Sequence, residues 1–467
     1  MAAERSPDAI IETALLGPAQ KAYLEEFITR YRRRTAASRK IAAEARPVLA
    51  DPLRPGGFHP ALKEICYPIT AVRCTGSRFW DADANEYVDF CMGFGSALFG
   101  HSPAFLQAAL REQIEKGFQL GPQSELALEV ARRVSELTGM ERVAFSSSGT
   151  EAVMTALRLA RAATGRDKIA LFSGSYHGQF DGTLAIADPS GGNPWAVPMV
   201  PGVAPGSVGD VMVLAYGAGE SLATIFEHSR ELAAVLVEPL QSRRPDLCPR
   251  DFLHDLRRLT EQWGIALIFD EMITGFRLAP GGAQQWFGIG ADLAAYGKAA
   301  GGGLPIGIVA GKSRYMDGID GGTWSFGDSS CPRARMTFFA STFAKHPLSM
   351  AAARVTLRQL AEAGPALQER LNERTAQFVA SLNRSMEEEG VTLRFAGFGS
   401  YFAPVPPFED PRSMAVQLIH HHLAEQGLFL WGAGGFLSTA HSPEELDRLC
   451  LALRTTVRSL RNAGFRL

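Results

Sequence analysis

Short apolar runs recur through the middle of the chain as "RVAF", "KIALF", "AAVLV", "IALIFD" and "IGIVAG", separated by stretches whose apolar positions repeat at helical spacing. Such runs, bounded by Gly, Ser and Asp, predict buried strands. Their alternation with amphipathic helices from about Ser102 to Ala310 predicts an α/β domain on a mainly parallel sheet. Upstream, "RFWDADANEYVDFCMGFGSALF", from Arg78 to Phe99, alternates aromatic and polar residues around turn-forming Asp and Asn, as short antiparallel strands of a small domain do. Leu24, Phe27, Ile28 and Tyr31 stand at i, i+3, i+4 and i+7 and predict helix within residues 18–50, ending at the Pro/Gly hinge "RPVLADPLRPGG". After His346, "PLSMAAARVTLRQLAEAG" reads as helix and gives way to mixed strand and helix, predicting a smaller α+β domain. The expected division is a helical extension at 1–55, the first part of the small domain at 56–105, a large domain at 106–345 and the rest of the small domain at 346–467. Residues 188–210 and 317–336 are too rich in Gly, Pro and Ser for core elements and read as long loops, often lids or binding segments.

Composition narrows the function. A chain of 467 residues, 46% hydrophobic and 21% charged, suits a large soluble core, and a formal net charge of −2 gives no global attraction to nucleic acid or anionic lipid. The six cysteines are scattered, with no C-x-x-C pair and no His at metal-ligand spacing, so they read as reduced cytoplasmic thiols and no metal site is expected. The start "MAAERSPDAI" carries no secretory pattern, and Asp270 and Glu271 break the longest apolar stretch, so no membrane span is expected.

Ligands of open α/β sheets gather beyond the carboxyl ends of the strands, and the residues there are chemically distinctive. After "RVAF" comes Ser148-Gly149-Thr150, opening a helix: hydroxyls and backbone N–H groups at a helix start suit a phosphate, although Ser148 with Glu151 also fits a capping box that needs no ligand. After "KIALF" come Tyr176 and His177, where a tyrosine ring can stack on a planar group or simply pack in a turn. Glu238 and Asp270 end two further runs, and a carboxylate at a buried strand end is costly without a partner. Lys298, in "YGKAAGGGLPIG", sits among glycines and small apolar residues that favour a neutral, nucleophilic amine. A phosphate, a planar ring, a ring atom that prefers an anion and an electrophilic carbon occur together in pyridoxal 5'-phosphate.

The stretches "SSGTEAVMTALRLARAATGRDKI", "YHG", "VEP", "FDEMITGFR", "YGKAAGGGLPIG" and "FLSTAH" resemble the class III aminotransferases of pyridoxal-phosphate fold type I, with the glutamate-1-semialdehyde aminomutase branch nearest among stand-alone enzymes. The resemblance implies a large mainly parallel seven-stranded sheet and a small α+β domain. It implies Lys298 joined to the cofactor aldehyde and Asp270 on the pyridinium nitrogen. Ser148, Gly149 and Thr150 would hold the phosphate and Tyr176 one ring face, with Met272 where the family usually has Val on the other; His177 and Glu238 complete the set. Thr342 in "ASTFAKHP" matches a threonine that reaches the partner subunit's cofactor, implying a homodimer, and Phe94 aligns with residues lining the substrate pocket.

More narrowly, "MGFGSALFGHSP", "GPQSELALEVARRV" and "TFFASTFAKHPLSMAAA" are similar to aminotransferase domains of hybrid polyketide and nonribosomal peptide assembly lines. This similarity implies an acceptor carbonyl on an acyl carrier protein, with Glu or Gln as donor and the basic segment Arg30 to Arg34 docking an acidic carrier; a solvated helix face would look the same. "TFAKHP" in place of the aminomutase's "TLSGNP" sets the two apart. The competing expectations are an aminomutase, which needs no external donor, and a noncatalytic protein that keeps the fold.

Overall fold

The computed structural model describes residues 16–52, 58–191, 194–405 and 414–466. The chain divides into two compact units, a central one at 104–372 and a flanking one made of 2–103 with 373–467.

The flanking unit begins with the helix Pro18–Arg34, started by Pro18 and by a bond from the Gly17 N–H to Gln20 Oε1 at 2.8 Å. Its face Leu24, Phe27 and Tyr31 is buried in one core with Leu418, Ile419 and Leu423 of the helix Met414–Glu425. The expected extension is therefore part of the small unit's core rather than an appendage to it. A second helix, Ala36–Ala45, follows. Strands β1 (Ala71–Thr75), β2 (Arg78–Asp81) and β3 (Glu86–Asp89) form the expected antiparallel meander.

The central unit holds β4 (Arg142–Ser146), β5 (Lys168–Phe172), β6 (Ala185–Ile186), β7 (Val197–Pro198), β8 (Val211–Leu214), β9 (Leu232–Val237), β10 (Ala266–Asp270), β11 (Leu293–Tyr296) and β12 (Gly307–Gly311). Seven of these make one sheet in the order β4-β12-β11-β10-β9-β5-β8, parallel except for β12, which pairs antiparallel with β11 and β4. Every residue of β9 and β10 is buried, which explains why both read as continuous apolar runs rather than alternating ones. Of the two long loops, 188–210 contributes β7, which pairs with β6, whereas 317–336 carries no helix or strand.

The central unit runs on to Asn372, beyond the boundary expected at 345. The helix Pro347–Ala363 is the reason: Ala352 and Val355 share a buried cluster with Leu106 and Ala109 of the helix Ala104–Lys116. The flanking unit resumes within the helix Pro365–Glu388 and continues with β13 (Arg394–Phe398), β14 (Tyr401–Val405), β15 (Leu428–Phe429) and β16 (Gly435–Phe436), β15 adding in parallel to β3.

Two buried histidines are expected to make the small unit acid-sensitive. His422 stacks on Phe27 at 3.9 Å and meets the Tyr23 hydroxyl at 2.9 Å, and burial, helped by Arg30, pushes it down to about 3; burial pushes His441 down to about 4. Unfolded, each takes a proton near pH 6.5, so the folded state loses about 1.4 kcal/mol per pH unit per group below that point. Urea unfolding is expected to show stability falling from pH 6.5 to 5, and His422→Phe to flatten the slope by about one group's share; an unchanged slope refutes this account.

Candidate active site

The carboxyl ends of β4, β5, β9, β10 and β11 lie on one edge of the large sheet, and nearly all the sequence candidates follow them. After β4, Ser148 caps the helix Gly149–Thr164, its Oγ accepting from the Glu151 N–H at 3.3 Å, while the Glu151 carboxylate accepts from the Ser147 N–H at 2.7 Å. The turn thus satisfies its own cap and still presents the positive end of a four-turn helix. Thr150 Oγ1 accepts from the Gln179 N–H at 3.2 Å, and a Cβ on Gly178 would lie 2.4 Å from that oxygen.

After β5, His177 is buried and its Nδ1 meets Asp270 Oδ2 at 2.7 Å, while Asp270 Oδ1 accepts from the Met272 N–H at 3.1 Å. Tyr176 exposes its ring, 54%, and donates its backbone N–H to Glu238 Oε2 at 3.0 Å. Glu238 is buried, accepts the Ser242 hydroxyl at 3.2 Å, and is pushed up by desolvation. Glu271 beside Asp270 is pushed up to about 7 by burial, although it accepts from Ala283, Gln284 and Thr274.

Lys298 follows β11 with φ at +41°, a left-handed backbone that costs an L-residue roughly 1–2 kcal/mol and is kept where the surroundings enforce it, commonly at functional sites. Burial lowers its amine below the ordinary lysine range, Arg277 lowers it further, and Asp270 and Glu238 oppose the shift. Met272 wedges between the lysine turn and the helix start: a Cβ on Gly149 would lie 2.6 Å from its Sδ, and one on Gly297 2.9 Å. Only glycine fits at those two positions beside a methionine.

The cluster is built to receive a polar guest. His177 Nε2 and Gln241 Oε1 are buried with no hydrogen-bond partner among the described residues, which is costly until something supplies one. A cationic ring nitrogen suits the Asp270 carboxylate, a phosphate suits the helix start, and an aldehyde suits a desolvated amine, so these residues fit pyridoxal 5'-phosphate.

Two candidates do not follow a strand end of this sheet. Thr342 is exposed, next to Ser341, whose hydroxyl lies 2.8 Å from that of Ser147 in the same chain. Phe94 belongs to the flanking unit, in a run of left-handed residues from Met92 to Gly95, its ring edge-on to Trp431 at 4.9 Å. Sequence reasoning missed Gln241, which donates to the Ser173 carbonyl at 3.0 Å and ties β9's end to β5's, and Arg277, fully buried and pushed down to about 10 by desolvation. Their signals were a glutamine three residues past Glu238 and an arginine closing the apolar "ITGFR".

Comparison with known proteins supports the fold and the cofactor. The model of the family "Aminotransferase class-III" matches residues 61–441. A glutamate-1-semialdehyde 2,1-aminomutase of Archaeoglobus fulgidus is 33% identical over 428 residues, covering 88% of this chain and 97% of that one. Among solved structures, a transaminase with PLP bound superposes with a TM-score of 0.81 at 28% identity, covering 92% of this chain and 99% of the other. A β-phenylalanine aminotransferase of Variovorax paradoxus superposes at 0.80 and 29% identity, covering 95% and 98%.

Proposed function

Because the chain belongs to the class-III aminotransferase family, we propose that it transfers an amino group from an amino-acid donor, Glu or Gln, to a ketone or aldehyde. It is a pyridoxal 5'-phosphate enzyme of fold type I. The observation that carries the reading is Lys298, an amine desolvated in a left-handed turn, on the same sheet edge as the Asp270–His177 pair.

The cofactor, when bound, supplies an aldehyde for amines and a ring that takes up the electron pair left when a proton leaves the amino-bearing carbon. The chain's part is proton handling and placement. Lys298 Nζ, kept toward its neutral form, takes a proton from one carbon and returns it to another as general base and acid. The Asp270 carboxylate, oriented by His177 and the Met272 N–H, would hold a cationic ring nitrogen. The Ser148 turn would hold a phosphate through hydroxyls and N–H groups.

The aminomutase reading is supported by the Archaeoglobus fulgidus relative. Titration of the loaded protein with single amino acids separates the two: conversion of the visible cofactor band by Glu or Gln supports transfer between substrates, and a band unmoved by every donor favours the aminomutase. An acceptor carried by an acyl carrier protein rests only on the assembly-line resemblance. Arg30 already pairs with Glu425 at 3.0 Å and Arg32 with Glu64 at 3.5 Å, which weakens the docking role given to that segment.

The homodimer reading draws support from exposed apolar rings in the segment before Thr342, Phe326 at 92% and Phe338 at 77% among them. Sedimentation is expected to give twice the 50.4 kDa chain mass; a monomer active at the same concentration rejects it.

A further inference from the structure

The main-chain tie between the Asp270 and Lys298 segments ends early. The ladder of β10 with β11 closes at Asp270 opposite Ala295, with one more bond from the Glu271 N–H to the Ala295 carbonyl at 2.9 Å. Past that point the chain runs from Tyr296, the last residue of β11, through Gly297 to Lys298, and the connection back to the Asp270 segment passes to buried side chains.

Glu271 accepts from the N–H groups of Ala283 at 2.9 Å and Gln284 at 3.0 Å. A Cβ on Gly282, whose φ is +72°, would lie 2.5 Å from Glu271 Oε2, so the turn closes on the carboxylate only because no side chain stands there. Gln284 then donates from Nε2 to the Tyr296 hydroxyl at 2.7 Å and accepts on Oε1 from the Ala291 N–H at 2.9 Å. Glu271 and Tyr296 are each at most 1% exposed and Gln284 8%. A continuous buried path therefore joins the residue after Asp270 to the residue two before Lys298.

We propose that Glu271, Gln284 and Tyr296 are positioning residues that hold the Asp270 carboxylate and the Lys298 amine in fixed relation beyond the end of the strand ladder. None of them is assigned a contact with cofactor or substrate; they act through the backbone of the two segments. Both groups must address one small molecule, and misplacement by a fraction of an ångström costs rate steeply. Low dielectric makes this path strong when every member is satisfied and costly when one is removed.

This inference rests on the functional reading above. Tyr296→Phe removes one oxygen and keeps the ring against Phe276, 5.2 Å away. In the pyridoxal-phosphate-loaded protein, the variant is expected to hold as much cofactor per chain as the parent. It is expected to lose about tenfold in kcat, on the scale of a lost buried hydroxyl that Gln284 and Thr138 both hold, with donor KM within about twofold. The pH midpoint of its visible cofactor band is expected to shift, a change that a purely structural role would not produce. Gln284→Leu breaks the same link from its other side and is expected to move kcat and midpoint in the same direction. Parent-like kcat and midpoint in loaded Tyr296→Phe overturn the proposal, as does a loss of kcat that only matches lost cofactor. A parent protein that takes up no cofactor overturns the functional reading and this inference together; a loaded, active parent with unmoved variants overturns this inference alone.

Discussion

Lys298→Ala is expected to lower turnover by roughly 10⁴-fold, about 5 kcal/mol of barrier and the upper end of what a general acid–base group supplies. The chain should still fold. Lys298 makes no ion pair among the described residues, so truncation orphans no carboxylate, and alanine meets the same left-handed backbone at φ +41°. Lys298→Arg should be as inactive, because a guanidinium stays protonated at working pH and cannot accept a proton. Borohydride reduction of the loaded parent followed by peptide mapping is expected to find the cofactor on the peptide containing Lys298. A label on another lysine, or turnover of Lys298→Ala within tenfold of the parent, removes the residue from its role.

Asp270→Asn separates charge from shape. The amide can still accept from the Met272 N–H, now 3.1 Å from Oδ1, and the phosphate turn is untouched, so cofactor should remain bound. What disappears is the anion beside a cationic ring nitrogen. The expected loss is on the order of 10²–10³-fold in kcat, about 3–4 kcal/mol, the range found when one preorganised electrostatic partner of a transition state is removed. Steady-state assays with a matched measurement of bound cofactor decide it. A near-parent rate at full occupancy refutes the ion-pair role, and a rate that follows occupancy reassigns Asp270 to cofactor retention.

Much of this site was legible in the sequence because strand ends are punctuated by composition. Ser148, Glu238, Asp270 and Lys298 each interrupt or follow an apolar run, and a charged or hydroxylic residue there has few structural uses. Gln241 and Gln284 were not legible: each is an ordinary polar residue whose partners, Ser173 and Tyr296, become neighbours only when the sheet assembles. Arg277 was hidden in the same way, since only the fold shows that its guanidinium is buried. The helix Pro347–Ala363 was given to the wrong side of the boundary because an alanine-rich helix face fits either unit; its packing with Leu106 and Ala109 decides the matter. The direction of β12 was equally silent, as "IGIVAG" reads the same in a parallel or an antiparallel pair.

That reversed strand bears on how the protein comes into being. A nascent chain that has left the ribosome as far as Tyr296 already contains every candidate residue except Lys298 and Thr342. Its phosphate turn and its lysine strand are nevertheless not yet tied to one sheet, because the strand that pairs with both β4 and β11 is β12, with Gly307 opposite Ser146. A Cβ on Gly307 would lie 2.0 Å from the Ser148 carbonyl oxygen, so the position of β12 beside the phosphate turn takes only glycine. The seven-stranded sheet, and with it the binding edge, therefore cannot be complete before Gly311 has been made.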